Sequence, residues 1–99
     1  MATELKSVFT DDMDHCYFTG SPYIERHHVW AGNAKKLCEK YGFIFPLRYD
    51  LHPNGVRADK NKAHDIDIKL KKMCQQYWLD HYGTKQEFID VFQKKWLLD

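Results

Sequence analysis

From Ala63 to Tyr82 the chain carries Ile66, Leu70, Met73, Tyr77 and His81 at helical intervals, with Cys74 and Trp78 alongside. Lys69, Lys71 and Lys72 fall mostly off that stripe. The pattern predicts one long amphipathic helix. Gly83 ends it, and Thr84-x-x-Glu87 is a capping box for a last helix carrying Phe88, Ile89, Val91 and Phe92. In a chain of 99 residues this dominates what can be built, because the apolar stripe must be covered by the rest of the chain.

Those residues offer shorter pieces. Thr19-Gly20-Ser21-Pro22 is dense in turn formers, and Tyr23 to Trp30 reads as an extended segment. Ala34 to Tyr41 has helical composition, with Leu37, Cys38 and Tyr41 on one face and Lys35, Lys36 and Lys40 largely off it. Gly42 suits a left-handed cap at its end. Phe43 to Tyr49 is rich in β-formers, and Pro46 within it points to an edge strand or a bulge. His52-Pro53-Asn54-Gly55 is a turn. The expected fold is α+β with more helix than strand. It forms one domain over residues 15–99, preceded by an acidic lead-in over 1–14 that is loose or partly helical.

Hydrophobic residues make up 43% of the chain and aromatics 15%, enough for a packed interior and against disorder. The apolar runs are too short to span a bilayer, and the N-terminus lacks the pattern of a secretion signal. A soluble protein of the cytoplasm, with no membrane partner, is expected. Cys16, Cys38 and Cys74 are odd in number and never form a C-x-x-C pair, so reduced thiols are expected, Cys38 and Cys74 as small core residues. They cannot build a structural zinc site by themselves.

Charge is uneven: Glu4, Asp11, Asp12 and Asp14 face a single Lys6 near the start, whereas the stretch from Arg26 to Lys62 is net basic. A basic middle suits a phosphate-bearing partner or is simply a solvated surface. Six histidines is a high count. His15 reads as exposed, His64 as an early helix residue facing water, and His81 as favourable at a helix C-terminus. His27, His28 and His52 are different, since an antiparallel pairing of the two extended segments would bring all three together. Imidazole serves both as a transition-metal ligand and as a general base. Adjacent residues on a regular strand point to opposite faces, so a shared pocket requires a bend, which Ala31-Gly32 permits. A metal site and three unrelated histidines both remain open at this point.

The segments C-Y-F-T-G at 16–20, H-H-V-W-A-G-N-A-K-K at 27–36, E-K-Y-G-F at 39–43, L-R-Y-D-L-H at 47–52 and N-G-V at 54–56 resemble small bacteriophage proteins of the HNH nuclease type. These are related to recombination-enhancement, recombinase-dependent nucleases. I-D-I-K-L-K-K at 66–72 and F-I-D-V-F-Q-K-K-W-L at 88–97 continue the resemblance over about five-sixths of the chain. It implies a ββα-metal core without structural zinc, holding one divalent ion (Mg, Mn, Ni or Zn). It further implies His27 and His52 as metal ligands, His28 as the base that deprotonates water, and Lys35 and Lys36 as contacts to a DNA backbone.

Two departures matter. The family's cysteine pairs are missing, since Thr19, Arg48 and Leu51 stand at three of those positions. A further metal-binding histidine is replaced by Arg57, which cannot bind a cation but can contact phosphate. Asp50, Asp59 and His64 are candidates to complete the ligand set. The expected function is a phage-type, metal-dependent DNA endonuclease or nickase, with weakened catalysis, working in the host cytoplasm alongside a recombinase. The alternative is a degenerate nuclease fold that binds a protein, for example as an anti-CRISPR inhibitor of a defence nuclease. Tyr17, Tyr23, Trp30 and Tyr49 are candidate interface aromatics for it.

Overall fold

A computed structural model describes residues 6–52 and 58–98. The chain is mixed α+β: strand β1 (Ile24–His28), helix α1 (Lys35–Tyr41), strand β2 (Ile44–Arg48), helix α2 (Lys60–His81) and helix α3 (Lys85–Phe92). A single 3-10 turn at Gly32–Ala34 leads into α1. The strands pair antiparallel, with Glu25 opposite Leu47, His27 opposite Phe45 and His28 opposite Ile44.

Local chemistry sets each boundary. β1 stops short of Trp30 because the Trp30 backbone turns onto a thiol. Its N–H donates to Cys38 Sγ at 3.3 Å and its carbonyl accepts from the same sulfur at 3.4 Å. Trp30 is thereby buried among Phe43, Phe88 and Phe92, which removes it from the exposed aromatics expected of an interface. Pro46 lies within β2 opposite Arg26, and its carbonyl accepts from Tyr17 N at 2.8 Å, so the lead-in turn covers that edge. Gly42 takes the left-handed conformation expected (φ 76) and closes α1. That glycine is also required by contact, because a Cβ there would lie 2.7 Å from Val8 Cγ1 and 3.0 Å from Val8 N.

α2 begins earlier than its apolar pattern, at Lys60, because Asp59 caps it by accepting from the N–H groups of Asn61 and Lys62. Its buried line is Leu70, Cys74, Gln75 and Trp78, while Ile66, Met73 and Tyr77 are half-buried and His81 is exposed, stacked on Tyr77. The centre of the stripe is displaced from the expected one because α3 returns against it, setting Phe88 edge-on to Trp78. The capping box of α3 is present, with Thr84 and Glu87 exchanging two hydrogen bonds.

Past α3, Gln93 adopts φ 55 and redirects the chain along α2. Buried Gln75 holds that tail with both ends of its amide. Nε2 donates to the Lys95 carbonyl at 2.9 Å and Oε1 accepts from Leu97 N at 2.7 Å. The described lead-in, residues 6–14, is not helical, and Val8, Phe9 and Met13 pack on the core. Among the described residues no helix is long and apolar enough to cross a membrane.

Candidate functional site

β1 stays regular through its last residue, so His27 and His28 leave it on opposite sides. Ala31-Gly32 bends the chain only after the histidines are placed, so the bend expected there does not set the directions in which they leave the strand. The structure brings His27 and His52 together and gives His28 separate surroundings.

His27 is 1% exposed, yet neither ring nitrogen has a hydrogen-bond partner among the described residues. Its neighbour is the ring of His52, edge to face with centroids 4.9 Å apart. Burial, with smaller contributions from His52, His28 and Lys71, pushes the His27 pKa down to about 3. The ring is therefore neutral at physiological pH and presents a lone pair, the form in which imidazole binds a metal. Each unsatisfied buried polar atom costs about 1–3 kcal/mol. That is a substantial part of the roughly 5–15 kcal/mol that holds a typical domain together.

His52, the residue after the β2 turn that Leu51 closes back onto Arg48, is oriented by a carboxylate. Its Nδ1 donates to Glu25 Oε1 at 2.8 Å. A carboxylate only accepts, so Nδ1 supplies the proton of this hydrogen bond and Nε2 stands outside it. Glu25 sits two residues before His27, on the same side of β1. A carboxylate behind one imidazole, with the other nitrogen free, is the usual support for a metal-binding histidine.

On the other side of the strand, His28 Nε2 donates to Glu39 Oε1 at 3.3 Å, from a side chain 12% exposed. The same logic leaves Nδ1 outside that hydrogen bond. Glu39 comes from α1, so the helix inserted between the strands supplies the partner of the candidate base.

The remaining candidates are placed as follows. Asp50 is engaged by Arg48, whose Nε and Nη2 donate to its two oxygens at 2.6 and 2.7 Å. The guanidinium holds the Asp50 carboxyl below its ordinary pKa. Asp59 is committed to the α2 cap. His64 lines a cavity beside α2. Lys35 and Lys36 are exposed at the start of α1 and form no ion pair among the described residues. Arg57 lies outside the described residues. Among the described residues no three His, Cys, Asp or Glu side chains are arranged to hold a metal; what the fold places together is two imidazoles with one carboxylate behind the second.

Searched against known protein families, characterised proteins and solved structures, the chain matches none of them. Function has to be read from the side chains themselves. Glu25 and Glu39 are the two participants that the sequence did not single out. The spacing of Glu25 from His27 was a usable signal, since residues two apart share a strand face; nothing local marks Glu39.

Proposed function

We propose that this protein is a metal-dependent phosphodiesterase of HNH-like architecture that cuts or nicks DNA. The observation that carries this is His27, a neutral, fully buried imidazole without partners among the described residues, beside a second imidazole already oriented by a carboxylate. As a structural residue His27 is a poor choice, and as a ligand it is well prepared. The order β1, β2, α2, with α1 inserted between the strands, is compatible with a ββα-metal core.

His27 and His52 would hold the ion. When bound, a divalent ion there supplies polarisation of a phosphate oxygen and charge neutralisation at the departing 3′-oxygen. His28 ends β1 and is the more exposed of the two adjacent imidazoles, so it is the one a phosphodiester at the strand end would reach first. His28 Nδ1 accepts the proton of the attacking water, and Glu39 holds the opposite nitrogen and offsets the imidazolium charge that forms. General-base assistance of this kind contributes roughly 10²–10⁴-fold. Two imidazoles make a modest ligand set, which fits weakened catalysis.

Nicking of supercoiled plasmid with Mg²⁺, Mn²⁺ or Ni²⁺ tests it. Wild type should nick, His28→Ala should lose activity by at least about a hundredfold, and Glu39→Gln should lie between. Cleavage indifferent to His28→Ala, or none with any metal, rejects the proposal.

One feature favours the alternative of a partner-binding protein such as an inhibitor of a defence nuclease. Tyr23 is 73% exposed, close in sequence to exposed Tyr17 and Phe18. Stoichiometric inhibition of a purified CRISPR nuclease, retained by His28→Ala and lost in Tyr23→Ser, would select that alternative.

A further inference from the structure

Val29, Trp30 and Ala31, just past the histidines, form one wall of a cavity of about 630 Å³. Lys60, Ala63, His64, Asp67, Ile68 and Lys71 of α2 form the second wall, and Lys94, Lys95 and Leu97 of the tail form the third. The volume lies within the range of small-ligand sites, roughly 300–1,000 Å³.

Its charge is one-sided. Four lysines line it, and Asp67 is the one acidic residue among the described residues of its walls. That carboxylate is already taken by Lys71, whose Nζ lies 2.9 Å from Oδ2. Lys60, Lys94 and Lys95 form no ion pair among the described residues. Lysines on the walls of one cavity repel one another where no carboxylate among the described residues neutralises them, and a bound anion relieves this. The tail lysines are positioned by a buried residue, because Gln75 fixes the backbone on either side of Trp96 through the Lys95 carbonyl and Leu97 N. Val29, Ala31, Ile68 and Leu97 give the same cavity an apolar surface.

We propose that this cavity binds a nucleotide phosphate, with lysines on the phosphate and the apolar wall against the nucleoside. The phosphate comes either from a free mononucleotide or from a single-stranded end of a nucleic acid. A lysine is a point charge that accepts phosphate in any orientation, and a half-open cavity of this size fits one nucleotide better than an extended acidic peptide. The site stands whether or not His27 and His52 bind a metal.

The test is titration of the full chain in chelator, so that metal plays no part, with amide chemical shifts as the readout. The probes are adenosine, adenosine monophosphate, a short oligothymidylate with and without a 5′-phosphate, and an oligoglutamate peptide. The phosphorylated probes should bind saturably, moving the amides of Ala31, Ile68 and Leu97. Lys94→Gln with Lys95→Gln should weaken them by about tenfold and lower the salt slope of strand binding by about 0.7 for each phosphate no longer neutralised. Both substitutions leave the backbone bonds to Gln75 in place, and Lys60→Gln serves as a second variant from another element.

Binding of the monophosphate identifies a free nucleotide as sufficient; binding only of the 5′-phosphorylated strand identifies a strand end. Equal binding of adenosine, binding of oligoglutamate alone, or affinities within twofold of wild type in both lysine variants overturns the site. Plasmid nicking is scored separately, so failure of either result leaves the other standing.

Discussion

Replacing His27 by leucine should make this protein more stable, which is the reverse of what most core substitutions do. The side chain is 1% exposed and both ring nitrogens lack a partner among the described residues. Removing two such atoms relieves about 1–3 kcal/mol each. Leucine is close to histidine in volume, and the shape mismatch returns up to about 1.5 kcal/mol. A net gain of about 2 kcal/mol is expected, equivalent to a rise in Tm of roughly 8 °C or more in a domain of this size. Thermal unfolding in chelator at pH 7.5 measures it. Adding Ni²⁺ or Mn²⁺ then separates the two proteins: wild type gains about 2.7 kcal/mol at a hundred times its Kd, and His27→Leu gains nothing. A variant that melts at or below wild type in chelator would show that the imidazole is held by bonds of its own. The case for a bound ion would then lose its foundation.

Further outcomes follow from the same geometry. His27 is depressed from 6.5 to about 3, so between those values the unfolded chain binds a proton that the folded chain refuses. The stability it leaves intact above pH 6.5 is lost as pH falls, by about 2 kcal/mol between pH 7.5 and pH 5; urea titrations should show this loss in wild type and not in His27→Leu. Gly42→Ala should cost about 1–3 kcal/mol by equilibrium unfolding, since φ is 76 and the new Cβ would meet Val8 at 2.7 Å. Partial recovery in a Val8→Ala background is expected, and a cost under about 0.5 kcal/mol would contradict the contact. Glu25→Gln should lower metal affinity roughly 10–100-fold in a chelator competition while leaving the fold intact; unchanged affinity would mean that Glu25 does not support His52 as a ligand.

Local chemistry made most of the architecture legible. The α3 capping box, the left-handed Gly42 and the apolar stripe of α2 each announce themselves within a few residues, because helix termini and periodicity are short-range properties. The strand limits were legible to within a residue or two, and the error at Trp30 came from a thiol eight positions away that draws the backbone inward. The meeting of His27 with His52 could be anticipated from antiparallel pairing. Glu25 shares a strand face with His27, but its contact with His52 spans 27 residues, and Glu39 reaches His28 only once α1 is docked. Gln75 was equally hidden: an amide in an apolar stripe looks like a defect until the tail returns to satisfy it.

The alternation along β1 also makes the chain sensitive to something other than residue identity. Side chains on a strand repeat every second position, so sliding β1 by one residue against β2 would exchange the two imidazoles. His28 would enter the dry interior and His27 would turn toward Glu39, with no atom of either ring altered. An insertion or deletion between Ser21 and Glu25 would carry that risk, whereas the same change in an exposed loop would pass unnoticed. What distinguishes these two rings is therefore their parity along the strand.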